Sequence, residues 1–147
     1  MENILNYSKT TINGKSKKKL NGKEEYKKMG LDMFILNKNK ELCYWRKSNQ
    51  IHKYFRDNIL ERYGGVVENF EEIAIDKDLL KDLVTTCEKV LANPELAEKL
   101  LPTNGGCFFG SNEYGEDYFD DLKYTIKSIN KIIHNEEYND LYYCACW

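Results

Sequence analysis

The chain has 147 residues, of which 41 % are hydrophobic and 13 % aromatic, with eleven tyrosines and a formal net charge of −2. That length supports one domain with one modest core. No apolar run reaches the ~18 residues a membrane-spanning helix needs, and no apolar stretch of the kind a secretory signal carries follows Met1-Glu2-Asn3, so a cytosolic protein is expected.

Residues 1–28 differ from the rest. They hold eight lysines against three acidic residues, a net charge of +5, which leaves −7 for residues 29–147. Asn13-Gly14-Lys15-Ser16-Lys17-Lys18-Lys19 and Asn21-Gly22-Lys23 are turn-prone and basic, which predicts a loosely docked N-terminal extension. A hairpin at Asn13-Gly14 is the alternative, since that dipeptide suits a type I′ turn. The acidic remainder is a poor match for nucleic acid, which needs a basic face to displace counterions. Basic proteins, or proteins that themselves bind nucleic acid, suit it better.

Residues 29–147 predict a single α+β domain, an antiparallel sheet of three or four short strands packed by three or four helices. Leu31 to Leu36 is a strand, and Asn37 to Lys40 a turn. A helix is expected from Tyr44, with Tyr44, Ile51, Phe55 and Ile59 on one face, until Gly64-Gly65 breaks it. Val66 to Ile75 holds at most a short strand. Asp76 caps the next helix, whose core face is Leu79, Leu80, Leu83, Val84, Cys87, Val90 and Leu91. Asn93-Pro94 starts a short helix, with Leu96, Leu100 and Leu101 turned inward, and Pro102 ends it. Cys107-Phe108-Phe109, between Gly106 and Gly110, is expected as a strand. The last helix spans about 116–134, with Phe119, Leu122, Ile126, Ile129 and Ile133 as its stripe. Leu141 to Trp147 forms the final strand.

Five cysteines, Cys43, Cys87, Cys107, Cys144 and Cys146, are an odd number without regular spacing. That pattern suits reduced thiols in a cytosol, and two histidines are fewer than a zinc set here would need. No metal and no cofactor is expected. No nucleophile elbow and no phosphate-binding glycine fingerprint is present.

Two groups of residues stand out as candidate binding sites. Trp45, Asn49, His52 and Arg56 recur at helical spacing and combine a stacking ring, an amide, an imidazole and a guanidinium, which together suit a nucleotide-like or acidic ligand. An amphipathic helix boundary would look the same. The second group lies in the run from Thr103 to Tyr114, between an apolar segment and an acidic helix start, where loops commonly carry function. Thr103, Ser111, Glu113 and Tyr114 are its candidates. N-terminal capping by Ser111, Asn112 or Asp117 explains that turn equally. Five acids (Glu113, Glu116, Asp117, Asp120 and Asp121) oppose an anion there, and their order lacks the alternation of a calcium loop. The two groups are expected to share one surface, anchored by Trp45 and Tyr114.

Several runs, in order, resemble a family of small proteins encoded by bacteriophages and prophages. They are Met29-Gly30-Leu31-Asp32-Met33, Tyr44-Trp45-Arg46-Lys47-Ser48-Asn49-Gln50-Ile51-His52, Leu101-Pro102-Thr103, Phe108-Phe109-Gly110-Ser111, Glu113-Tyr114, Asp121-Leu122-Lys123, Tyr142-Tyr143 and the terminal Trp147. The resemblance covers residues 29 to 147. Cys107 and Gly115 depart from it, where apolar or aromatic and acidic residues respectively are usual. It implies that residues 1–28 are an extension and Met29 a natural start. It carries no established activity with it. With the acidic, tyrosine-rich body and the missing catalytic signature, it implies a non-enzymatic accessory protein that binds and modulates a host factor in the host cytosol. The expected partner is a host protein, in particular a nucleic-acid-binding defence protein, or a small nucleotide signal that the chain sequesters. The alternative is a small enzyme acting on a nucleotide or a nucleic-acid end, with His52 as general base and Arg56 on phosphate.

Overall fold

The computed structural model describes residues 30–147; the predicted basic extension, with its candidate hairpin at Asn13-Gly14, lies outside them. The strands are β1 (Asp32–Asn37), β2 (Lys40–Arg46), β3 (Glu72–Ile75) and β4 (Leu141–Cys146). The helices are α1 (Asn49–Tyr63), α2 (Lys77–Ala92), α3 (Ala97–Leu100), entered through a 3-10 turn at Pro94–Leu96, and α4 (Glu116–Ile133). The fold is α+β, with one antiparallel sheet in the order β2-β1-β4-β3.

Alternation along the strands decides which face is covered. Met33 and Ile35, Cys43 and Trp45, and Leu141, Tyr143 and Ala145 are buried together with the apolar stripes of the helices. Phe34, Tyr44, Tyr142 and Glu72 alternate with them on the other face. Phe55 of α1 stacks on Tyr143 of β4 with ring centroids 4.1 Å apart, and α2 packs along α4. Asp76 caps α2 as expected, its Oδ1 accepting from the Leu79 amide at 2.9 Å.

Two expected elements differ. The helix expected from Tyr44 starts at Asn49, and Lys40–Arg46 is a strand. Tyr44 therefore pairs with Phe34 across β1–β2 instead of opening a helix. The break falls at Lys47, whose φ of 59° is left-handed, an uncommon conformation for a residue with a Cβ. Cys107-Phe108-Phe109 is not a strand. The Phe109 amide donates to the Gly106 carbonyl at 3.0 Å and closes a four-residue turn, with an isolated bridge between Gly106 and Gly110. Three residues between glycines are too few to extend a ladder, and Phe108 at φ 73° turns the chain.

Candidate functional site

The strand registers place the start of β1, the ends of β2 and β4, and the start of β3 at one end of the sheet, since Asp32 faces both Arg46 and Cys146. The loop between α3 and α4 closes over this end, where the Leu31 amide donates to the Phe108 carbonyl at 3.1 Å. The segment before β3 joins it through the Phe70 amide, which donates to the Ala145 carbonyl at 2.9 Å. Phe70, Phe108 and Trp147 are thus gathered at one end, and they remain 54 %, 50 % and 41 % exposed.

Asn49, at the first turn of α1, ties the loop down. Its Nδ2 donates to the carbonyls of Phe109 and Ser111 at 3.0 Å each, and its Oδ1 accepts from the Asn104 amide at 2.8 Å. The buried side chain is therefore fully used as a clamp on backbone groups that would otherwise lack partners. Asn112 supports the loop from within, accepting from the Gly105 amide at 2.6 Å. Asn69 plays a similar part for the last residue. Its Oδ1 accepts from the Trp147 amide at 2.9 Å, and its Nδ2 donates to the Trp147 carbonyl at 2.7 Å.

His52 lies beneath this surface, 3 % exposed. Its Nδ1 is 2.7 Å from the Tyr143 hydroxyl. Its ring lies 5.5 Å from Trp147 and 6.1 Å from Phe109, centroid to centroid. Burial, with the Arg56 guanidinium in second place, pushes the imidazole pKa down to about 4. A neutral ring accepts from the Tyr143 O–H, whose own pKa burial raises well above the ordinary value. Arg56 emerges one helical turn later. With its amide oxygen turned toward the guanidinium, Asn104 accepts from Arg56 Nη1 and Nη2 at 3.2 and 3.0 Å.

The candidate residues divide. Asn49, His52 and Arg56 do share one side of α1, and they do meet the 103–114 loop. Trp45 does not belong with them. It is in β2, 2 % exposed, donating from Nε1 to Thr125 Oγ1 at 2.8 Å and packed edge-on to Phe55 and Tyr124. Strand alternation turns it into the core, so it is not an anchor of this surface. Tyr114 is half-buried, its hydroxyl accepting from the Thr103 amide at 3.2 Å and its ring 5.0 Å from Tyr118. Thr103 Oγ1 donates to the Asn112 carbonyl at 3.0 Å, which makes Thr103 and Tyr114 a brace for the loop. Ser111 Oγ accepts from the Glu113 amide at 2.9 Å, a local turn; the residue capping α4 is Gly115, without a side-chain bond. Glu113 is exposed.

Lys47, Asn69, Phe70, Asn104, Phe108 and Trp147 complete the surface without having been singled out as site residues. Trp147 and Phe108 were visible as aromatic members of recognisable runs. The left-handed backbone that exposes Phe108 and Phe70, at φ 73° and 71°, has no signal in these residue types. Among the described residues no group of three or more His, Cys, Asp or Glu side chains is placed to hold a metal ion, and no helix is long and apolar enough to cross a membrane. The arrangement offers aromatic rings, a half-exposed guanidinium and amides on a clamped loop. This set suits binding. Its imidazole is sealed under Trp147 and Phe109, a poor position for a general base.

Comparisons with protein-family models, with curated proteins and with solved structures gave no match.

Proposed function

We propose that this chain is a phage or prophage accessory protein that binds a host protein in the host cytosol and modulates it, with a component of host defence as the favoured target. The observation that supports this most is the gathering of Phe70, Phe108 and Trp147 at one end of the sheet, exposed yet held by side-chain and backbone bonds. Exposed aromatics beside a guanidinium commonly carry much of the energy of a protein interface. A backbone already held in place loses little further freedom on association. The ordered runs that resemble those of small phage proteins support the biological setting.

The test is an affinity capture from a bacterial host with the full chain, beside Trp147→Ala and Phe108→Ala. One stable partner is expected, with affinity lowered at least tenfold in either variant that stays folded, corresponding to about 1.4 kcal/mol or more. The exposed Trp147 ring and the Arg56 guanidinium, both on this surface, also suit a nucleotide signal held by stacking and charge. That second reading requires nucleotides to raise the melting temperature by mass action. Capture of no protein together with no nucleotide effect would defeat both.

A further inference from the structure

Seven of the described residues have left-handed backbone; Lys38, Gly64 and Phe70 lie apart, and the other four come together. Gly30 at φ 129°, Lys47 at 59°, Phe108 at 73° and Gly110 at 99° meet at one corner of this end. The backbone of Leu31 joins them, its carbonyl accepting from the Lys47 amide at 2.7 Å and its amide donating to the Phe108 carbonyl at 3.1 Å. A Cβ at Gly30 would stand 3.1 Å from Lys47 Cε and 3.2 Å from the Phe108 carbonyl oxygen, and one at Gly110 would stand 2.8 Å from the Lys47 carbonyl oxygen. The corner closes only because glycine occupies both places.

Two of the four are not glycine, and neither is required by the core. Phe108 occupies the third position of the 106–109 turn, where positive φ favours Gly or Asn. It nevertheless presents a half-exposed ring. Lys47 is exposed and, among the described residues, forms no ion pair. Strained non-glycine residues that persist where packing does not need them point to function.

Resting on the reading of this chain as a protein-binding accessory, we propose that the Lys47–Phe108 corner selects the partner, and that the partner meets it with an apolar cleft bordered by carboxylates. Phe108 fills the cleft and the Lys47 ammonium faces the acidic border. The corner thereby reverses the sign of a body whose residues 29–147 carry −7. That contrast orients the docking, because the carboxylates of the cleft admit only this corner while the acidic remainder suits basic surface elsewhere on the partner. A nucleic-acid strand also offers negative charge and stacking. It spreads its phosphates over a longer footprint, however, and the surrounding acids oppose it.

The experiment treats the full chain in host extract with a carbodiimide, which joins a lysine amine to a carboxylate as an amide. Mass spectrometry then maps the joined residues. Lys47→Asn and Phe108→Gly serve as variants because both new residues accept left-handed φ, and circular dichroism checks that they remain folded. The proposal expects one captured protein joined through Lys47 to Asp or Glu residues beside apolar ones, with capture falling tenfold or more in each variant. Capture of the same protein through other lysines, or unchanged in both variants, overturns the corner and leaves the binding function standing. Capture of nothing by the unaltered chain overturns both. Binding of a labelled single-stranded oligonucleotide that is lost in Lys47→Asn overturns the protein partner in favour of nucleic acid.

Discussion

The layer between the sheet and its helices differs in kind from the end of the sheet beneath the 103–114 loop. Between sheet and helices, leucines, isoleucines and valines recur at helical or strand spacing, and cohesion comes from apolar area, which is non-directional. At the sheet end the side-chain amides of Asn49 and Asn69 each hold a segment through several bonds to backbone atoms, and Asn112 adds one to the Gly105 amide. Area tolerates exchange of one apolar side chain for another of similar volume. The buried clamp of Asn49 does not, because its loss orphans several polar groups together. The first region makes the molecule fold, and the second fixes which side chains it displays.

The sharpest break in this contrast is Trp45→Ala. Trp45 belongs to the first region although its residue type suggests the second. Its loss is expected to cost about 3–5 kcal/mol of stability in urea denaturation, with affinity per folded molecule unchanged. A folded, stable Trp45→Ala protein with weakened binding would return Trp45 to the surface.

Acid acts on the boundary between the two regions through His52. In the unfolded chain its imidazole takes up a proton near the ordinary value of 6.5, whereas the folded protein keeps it neutral down to about pH 4. The unfolded state then binds more protons between these values. Stability is therefore full above pH 6.5 and falls as pH is lowered toward 4, by up to about 3 kcal/mol. Denaturation midpoints across that range measure the slope, and His52→Leu should remove most of this contribution.

Asn49→Ala separates the regions more gently. A loss of about 1–3 kcal/mol is expected from the orphaned carbonyls and amide. Hydrogen exchange should quicken in residues 103–112 while the amides of β1 and β4 keep their protection. Equal loss of protection throughout the sheet would mean that the clamp belongs to the core after all.

The smallest effect is expected from Phe108→Gly. Relief of the left-handed strain offsets the entropy glycine adds to the unfolded chain, so the melting temperature should shift by no more than about 1 kcal/mol would produce. A large destabilisation would show that the ring supports the fold instead of serving display.

Much of the first region was legible in the residues. α2 and α4 declare themselves through long apolar periodicity, and Asp76 through its capping chemistry. β1 and β4 stand out as apolar runs bounded by turns. The misplaced start of α1 has a definite cause. Tyr44 happens to fall at helical spacing from Ile51, Phe55 and Ile59, while the strand alternation of Cys43 and Trp45 against Tyr44 and Arg46 spans too few residues to compete. The boundary itself is a lysine in a conformation usually marked by glycine. The second region was legible only as a neighbourhood. Asn49, His52 and Arg56 were found, and so was the loop they meet. Nothing in an asparagine's identity tells whether it will clamp a backbone or face solvent. Trp147 and Phe70 reach the surface through long-range pairing, which local pattern does not encode.

The strand order carries a consequence for synthesis. β4 follows every other described element yet sits between β1 and β3, and among the described residues β3 pairs with β4 alone. The β1–β2 hairpin can assemble early from nearby residues, but the sheet stays split until residues 141–146 arrive. Tyr143, on which Phe55 and His52 rest, arrives with them. A nascent or truncated chain without this strand leaves pairing edges open on both β1 and β3, a setting for misassociation. Completion of the fold thus waits on its latest strand, and the displayed aromatics take their places only after it has been made.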